Sequence, residues 1–290
     1  MTSAAPPAQA AQPALRSPGY LVGFGHLMVA EWTKIRSVRS TFWTLILFVV
    51  ITVGLTAGLT ALIVHANGPN APARDARIIA DPVGFILGAG IGLGQLTICV
   101  LGVLVITSEY STGVIRASLL AVPKRVTMLM AKIIVFSLLL IVLAEIVSFG
   151  SFFVGSALLH GLHLPGSTAS LVTVKLSGPN VLRAVVGAGL YLTVLGLFAL
   201  AIGGLIRHTA GAIATVIGAV LVLPILSGLL PSNWGAHINA YLPEQAGTLI
   251  THTHEVSGDL LSPWQGFGVL CIWTALLLAA AGYLLARRDA

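Results

Sequence analysis

Six long and almost uncharged apolar stretches constrain the fold more than any other feature of the sequence. They lie at residues 41–64, 83–107, 133–159, 184–206, 209–230 and 266–286, and Glu145 is the one charged residue inside them. A helix needs about 20 apolar residues to cross the hydrocarbon core of a bilayer. Closed β-barrels need alternating segments of about 10 residues, which these unbroken stretches do not provide. The sequence therefore predicts an all-α integral membrane protein with six transmembrane helices.

Composition excludes the soluble alternatives. Hydrophobic residues make up 57% of the 290 residues and charged residues only 8%, against about 45–50% and about 25% in soluble domains. Such a chain could neither cover a water-exposed surface nor remain disordered. The two cysteines, Cys99 and Cys271, lie inside apolar stretches, so they indicate no disulfide framework.

The basic residues predict the orientation of the chain. If both termini are cytoplasmic, that side holds Arg16, Lys34, Arg36, Arg39, Arg116, Lys124, Arg125, Lys132, Arg207, Arg287 and Arg288. The opposite side then holds only Arg74, Arg77, Lys175 and Arg183. Because Lys and Arg are enriched in cytoplasmic loops, this bias predicts that both termini are cytoplasmic. The enrichment of Lys and Arg in cytoplasmic loops also explains why basic residues outnumber acidic ones. We therefore expect no nucleic-acid partner.

The chain is predicted to contain four parts. Residues 1–18 are rich in Ala, Pro and Gln and read as a disordered cytoplasmic tail. Residues 19–40 are predicted to form an amphipathic helix in the membrane interface. Residues 41–286 are predicted to form the six-helix domain, and residues 287–290 a second tail. In the interfacial helix we expect Trp32 at the depth of the lipid headgroups. Lys34, Arg36 and Arg39 would face anionic lipid.

Glu31 breaks the apolar arc of the interfacial helix and has two interpretations. Lys34 lies three residues further on, so the two side chains can pair on one helix face. Alternatively, Glu31 meets a basic group on the membrane bundle or on a partner. The sequence leaves both open.

The segment at residues 108–128 predicts a short amphipathic helix that docks on a cytosolic partner. Gly113 precedes this helix and Pro123 follows it. Its apolar residues share one face, and its charged residues are available for docking. The apolar residues are Ile115, Leu119 and Val122, and the charged ones are Glu109, Arg116, Lys124 and Arg125.

The same segment resembles the signature of type-2 ATP-binding-cassette (ABC) exporter permeases. The matching residues are Glu109, Gly113, Leu119, Leu120, Pro123, Lys124, Arg125 and Lys132. Residues 31–43 (EWTKIRSVRSTFW) also resemble the start of actinobacterial members. The six-span arrangement extends the resemblance over most of the chain.

The resemblance implies roles for these residues and partners for the protein. Residues 19–40 would form an elbow helix, for which we name Glu31, Trp32, Lys34, Arg36 and Arg39. A coupling helix would contact an ATPase subunit through Glu109, Tyr110, Gly113, Ile115, Arg116, Leu119, Leu120, Pro123, Lys124 and Arg125. Residues 231–264 would form partly helical outer caps. Two permease copies, identical or homologous, would assemble with two ATPases in a bacterial cytoplasmic membrane, and the cargo is left open.

No lysine in the chain follows a glycine, so the G-x-x-x-x-G-K-[ST] phosphate loop is absent from the sequence. We therefore predict a transporter subunit that is not itself an enzyme and binds no cofactor. ATP and Mg would be bound by the partner ATPase.

Glu145 is the candidate residue for a translocation path. An acid at the centre of a span costs about 2.5–3.5 kcal/mol on insertion scales, so it needs a partner or a water-filled path. It could line the path or bind a cationic cargo, or it could be protonated and hydrogen-bonded within the bundle. An ion-coupled carrier or channel is the alternative function, although such carriers usually chain several ionisable groups.

Two further kinds of site are disfavoured. An intramembrane enzyme would need a nucleophile and a base at membrane depth, but every His lies outside the apolar stretches or at their ends. His252, His254 and Glu255 resemble metal ligands, but an H-x-H pair in a loop lacks the i, i+4 spacing of zinc proteases. We interpret these three as solvated and predict no metal site.

Overall fold

The computed structural model describes residues 23–67, 81–113, 125–159, 174–230, 232–254 and 260–287. All regular structure in these ranges is helical. The longer helices are α1 (Phe24–Ser37), α2 (Arg39–Asn67), α3 (Pro82–Ser111), α4 (Arg125–Leu159) and α5 (Val181–Ile206). Then follow α6 (Thr209–Ile217), a π-helical turn (Gly218–Val222), α7 (Leu223–Gly228), α8 (Ser232–Ala240), α9 (Pro243–Thr248), a 3₁₀ turn (Leu249–Thr251) and α10 (Pro263–Arg287).

The six predicted spans are confirmed. Helices long and apolar enough to cross a membrane cover Arg39–His65, Pro82–Ser111, Val126–Leu159, Val181–Ile206, Thr209–Gly228 and Pro263–Arg287. The fifth of these consists of α6, the π-helical turn and α7. Several helices extend past their apolar stretch, because a helix continues into the polar interface when its backbone groups can still pair.

Helix α5 is the centre of the bundle. About 78% of its apolar window is buried, against 22% for the windows of α2 and of Thr209–Gly228. It packs against α3, α4 and α10. Gly102 of α3 lies so close to Gly196 of α5 that a Cβ atom on Gly102 would overlap the Gly196 carbonyl oxygen. Small residues at such crossings let two backbones approach closely.

Helix α1 lies against the bundle before the first span. It ends at Ser37, and Val38 has an extended backbone that separates it from α2. Leu27, Glu31 and Ile35, spaced four apart, are its buried residues. Trp32 is 46% exposed, as a residue anchored among lipid headgroups would be.

The bundle has two ends that differ in chemistry. At the end that carries α1, which we call the α1 end, Arg207 after α5 lies over the Tyr110 ring of α3 and donates to the Leu284 carbonyl of α10. At the opposite end, the far end, the loop around Thr253 contacts the starts of α3 and α5. The predicted tail at residues 1–18 lies outside the described residues, and so do residues 288–290 of the tail predicted at 287–290, whereas Arg287 is the last residue of α10.

Candidate functional site

Four charged side chains form a closed ring of ion pairs between α1, α3 and α4. The Nζ atom of Lys34 lies 2.7 Å from Glu31 Oε1 and 3.0 Å from Glu109 Oε1. The Nζ atom of Lys132 lies 2.5 Å from Glu31 Oε2 and 2.9 Å from Glu109 Oε1. We call Glu31, Lys34, Glu109 and Lys132 the ion-pair ring. Each of its charges contacts two charges of opposite sign. The ring is neutral because it contains two carboxylates and two ammonium groups.

The ring is largely removed from water. Side-chain exposure is 3% for Glu31 and Lys132 and 9% for Glu109, whereas that of Lys34 is 31%. Burying a charge is costly unless it is paired and hydrogen-bonded. The alternating arrangement meets that condition, except that Glu109 Oε2 has no hydrogen-bond partner among the described residues.

The sequence positions the ring through ordinary helix geometry. Glu31 and Lys34 are neighbours on one face of α1, and the buried Leu27 and Ile35 hold that face against the bundle. Glu109 lies in the last turn of α3, and Lys132 lies two turns inside α4. Both interpretations of Glu31 are therefore realised, because it pairs with Lys34 locally and with Lys132 on the bundle.

The ring also affects the proton affinity of Lys34. Burial lowers the pKa of this amine, but the hydrogen bond to Glu31 and the charge of Glu109 outweigh that effect. The net result is a pKa above the ordinary value, so Lys34 stays charged. The ion-pair ring therefore keeps Lys34 protonated at neutral pH.

Of the remaining residues of the predicted coupling helix, the structure describes Tyr110, Gly113 and the backbone of Arg125. Gly113 ends α3 with a φ of 72°, a backbone conformation that favours glycine. The half-buried Tyr110 lies 5.2 Å from the Arg207 guanidinium. The described residues do not include Ile115, Arg116, Leu119, Leu120, Pro123, Lys124 or the side chain of Arg125. Arg36 and Arg39 of the predicted elbow are exposed.

Glu145 packs against Gly189 of α5 in the middle of the bundle. A Cβ atom on Gly189 would come within 2.5 Å of the Glu145 carboxyl carbon, so the missing side chain makes the space that the carboxyl group fills. One turn further along α4, Ser148 donates a hydrogen bond to the carbonyl oxygen of Val185. Glu145 Oε2 is buried and has no hydrogen-bond partner in the described part of the chain.

A second acid, Glu244 in α9, is partly buried beside the bundle, although the sequence predicts only that it lies in the outer caps. Gln95 of α3 bonds to Glu244, and the Tyr191 hydroxyl of α5 donates to Gln95 Oε1 at 2.6 Å. Gly247 lies so close to the Tyr191 ring that a side chain would not fit there. The available signal was Gln95, the one amide side chain in the six apolar stretches.

Burial is the main influence on Glu244. It raises the pKa of the carboxyl group from 4.5 to about 7, and the hydrogen bonds from Gln95 and Gln245 offset only part of that shift. The folded protein thus retains a proton that the unfolded chain releases at lower pH. Stability should therefore fall as the pH rises from about 4.5 to 7.

We expect Glu244→Gln to remove this pH dependence. Glutamine keeps the size of the side chain and cannot ionise, so the variant should be more stable than the wild type by about 1–3 kcal/mol at pH 8. At pH 4 the two proteins should be similar. Unfolding in detergent micelles at both pH values measures the difference, and an unchanged slope in the variant would contradict the assignment.

At the far end, Asp81 fastens the segment around Thr253 to the start of α3. Its carboxylate accepts from the Gly84 amide at 2.9 Å and from the Thr253 amide and hydroxyl at 3.0 and 2.6 Å. Burial alone would raise the pKa of Asp81, but hydrogen bonds from His252, Thr253 and Gly84 lower it to about 2. Arg183 of α5 binds the carbonyl of His252.

This arrangement changes the interpretation of the outer histidines. The His252 ring lies 3.2 Å from Asp81 and is therefore part of a hydrogen-bonded contact, although we had expected it to be solvated. His254 is exposed, and Glu255 lies outside the described residues. Within the described ranges, no three His, Cys, Asp or Glu side chains come together as metal ligands would.

The described fold defines a polytopic α-helical membrane protein whose N-terminal helix is joined to two spans by buried ion pairs. Comparison with protein-family models and with curated proteins finds no match for this chain. Its function is therefore argued from the site itself.

Proposed function

We propose that this chain is the membrane-spanning permease subunit of an ABC exporter. It would move its substrate outward across a bacterial cytoplasmic membrane, using ATP hydrolysis by a separate ATPase subunit. The observation that supports this proposal is the ion-pair ring. The ring joins α1 to the two spans that flank residues 114–124, the segment whose sequence resembles a coupling helix.

The position of the ring suggests how movement would be transmitted. Glu109 lies just before the flanked segment and Lys132 lies just after it, so displacement of the segment would act on both helices together. Through Glu31 and Lys34 the same displacement would reach α1. An ATPase pair that closes on ATP would then tilt α3, α4 and α1 as one unit, which is the kind of two-state element that alternating access needs.

The surroundings of the ring agree with this proposal. The α1 end carries Arg36, Arg39 and Arg207, which is consistent with a cytoplasmic face. Arg207, at the turn between α5 and α6, lies over the aromatic ring of Tyr110, next to Glu109 in sequence. We propose that this turn makes a second, smaller contact with the ATPase. Two permease copies and two ATPases would complete the exporter.

Leu119→Ala should weaken association with the ATPase by about 2–5 kcal/mol, because the proposal has Leu119 packed in the interface. Membrane insertion should be unaffected, since the change lies outside the spans. Co-purification with the proposed partner ATPase measures the effect. Nucleotide hydrolysis that depends on both subunits would support the exporter.

A thiol-labelling experiment provides the matched control. Cys99 and Cys271 are first replaced, and a single cysteine is placed at Leu119 or at the exposed His254 of the far end. The partner should protect position 119 from a thiol reagent and leave position 254 unaffected. Equal labelling of position 119 with and without the ATPase would overturn the coupling assignment.

Glu145 favours a second candidate function, an ion-coupled carrier, because its carboxyl group has an oxygen without a hydrogen-bond partner among the described residues. Glu145→Gln should change transport or its pH profile at least several-fold while expression stays similar, because the charge is lost and the volume kept. Gly189→Ala is the companion variant, since it displaces the carboxyl group and keeps the charge. Ion-driven flux by this chain alone would favour the carrier, and unaltered transport would make Glu145 structural.

A further inference from the structure

A pocket of about 470 Å³ lies between α1, the first turn of α2 and the last turns of α3. Its walls differ in chemistry from one part to the next. Ile35, Val38 and Val105 supply apolar surface, whereas Ser37 and Ser40 supply hydroxyl groups. The pocket is therefore shaped for a ligand that has both an apolar and a polar part.

The location of the pocket favours a component of the membrane as its ligand. The lining residues of α2 and α3 belong to the terminal turns of two spans, where a bilayer changes from hydrocarbon to headgroups. The aromatic side chains of Trp32 and Trp43 are exposed around this level, and tryptophan is enriched at that boundary. A lipid can therefore reach this pocket from the membrane.

The charge around the pocket selects an anion. Lys34, Glu109 and Lys132 line it, but they belong to the ion-pair ring, whose charges sum to zero. Arg36 and Arg39 alternate in sequence with the lining residues and are exposed. The local balance is thus positive, and basic side chains near a membrane surface attract anionic lipid.

We propose that this pocket binds one anionic glycerophospholipid. Its phosphate would lie toward Lys34 and Arg39, and the upper part of an acyl chain would lie along Ile35, Val38 and Val105. A bound lipid would fill the space between α1 and the bundle and so hold α1 in place. The proposal does not depend on exporter function, since it concerns this chain and its bilayer alone.

The test uses the full-length chain purified in detergent and freed of lipid, without an ATPase. Phosphatidylglycerol and phosphatidylcholine with the same acyl chains are titrated separately, and bound lipids are counted by native mass spectrometry. We expect one tightly held phosphatidylglycerol per chain and at least tenfold weaker retention of phosphatidylcholine.

Variants on two helices locate the site. Ser37→Trp and Ser40→Trp should each fill the pocket and weaken phosphatidylglycerol binding at least tenfold. Thr33→Trp is the matched control, because Thr33 is also an exposed residue of α1 whose hydroxyl bonds to its own helix, yet it does not line the pocket. Its affinity should stay within twofold of the wild type, and thermal unfolding checks that all three variants are folded.

Several results would overturn the proposal. Equal binding of the two lipids would mean that the net negative charge of the lipid is not recognised, because both carry a phosphate and only phosphatidylcholine also carries a cation. Unchanged binding in both pocket variants, or an equal loss in Thr33→Trp, would place the lipid elsewhere on α1. Displacement of the lipid by an equal concentration of glycerol phosphate would indicate a site for soluble anions, and the exporter proposal would stand in every case.

Discussion

Replacing Lys132 with methionine should lower the free energy of unfolding by about 3–5 kcal/mol, the cost of leaving a buried charge without its partner. Lys132 is the cation that both Glu31 and Glu109 share at the buried side of the ion-pair ring. Without it, two buried carboxylates share only Lys34. Unfolding in mixed micelles, followed by tryptophan fluorescence, measures the loss.

Two companion variants separate charge from packing. Lys34→Met should cost only about 1 kcal/mol, because Lys34 is 31% exposed and water screens its pairs. Combining Lys132→Met with Glu109→Gln should recover most of the loss, since Glu31 and Lys34 then remain as one neutral pair. If the double variant were as unstable as Lys132→Met alone, the loss would come from packing and not from charge.

The second large effect is expected at the crossing of α3 and α5. A methyl group on Gly102 would overlap the carbonyl oxygen of Gly196 and come within 3.0 Å of the Ala199 side chain. The helices must then separate, and we expect Gly102→Ala to cost about 1–3 kcal/mol. The same unfolding measurement applies.

Gly92→Ala is the control on the same helix. No heavy atom lies within 4 Å of the position that its Cβ would take. An alanine there should be neutral or stabilise the protein by about 0.5–1 kcal/mol, because glycine loses more backbone entropy in a helix. Similar effects of the two substitutions would show that Gly102 makes no closer approach than Gly92.

Features that depend on neighbouring residues along the chain could be predicted from the sequence. The six spans were predicted because their apolar length is a local property that the bilayer demands. The pairing of Glu31 with Lys34 follows in the same way from helix periodicity. The glycine at position 113, which ends α3 with a positive φ, is likewise local.

Contacts between distant residues could not be predicted. Glu109 and Lys132 were both noted for a resemblance, but nothing in their spacing indicates that they share a buried site with α1. Glu244 was assigned to an outer segment because the neighbouring residues are loop-like, and its burial follows from the way α9 packs on Tyr191 and Gln95. The partners of Asp81 at residues 252–253 are as distant in sequence.

The order in which the ion-pair ring is synthesised bears on how the chain enters the membrane. Glu31 is neutralised by Lys34 as soon as α1 forms, long before the third span has been made. Glu109 and Lys132 belong to one hairpin of α3 and α4, so they can pair when that hairpin inserts. Each piece is therefore neutral by itself before the two meet. Docking of α1 then exchanges two local pairs for four shared ones, and no lone charge has to be carried into a poorly solvated site.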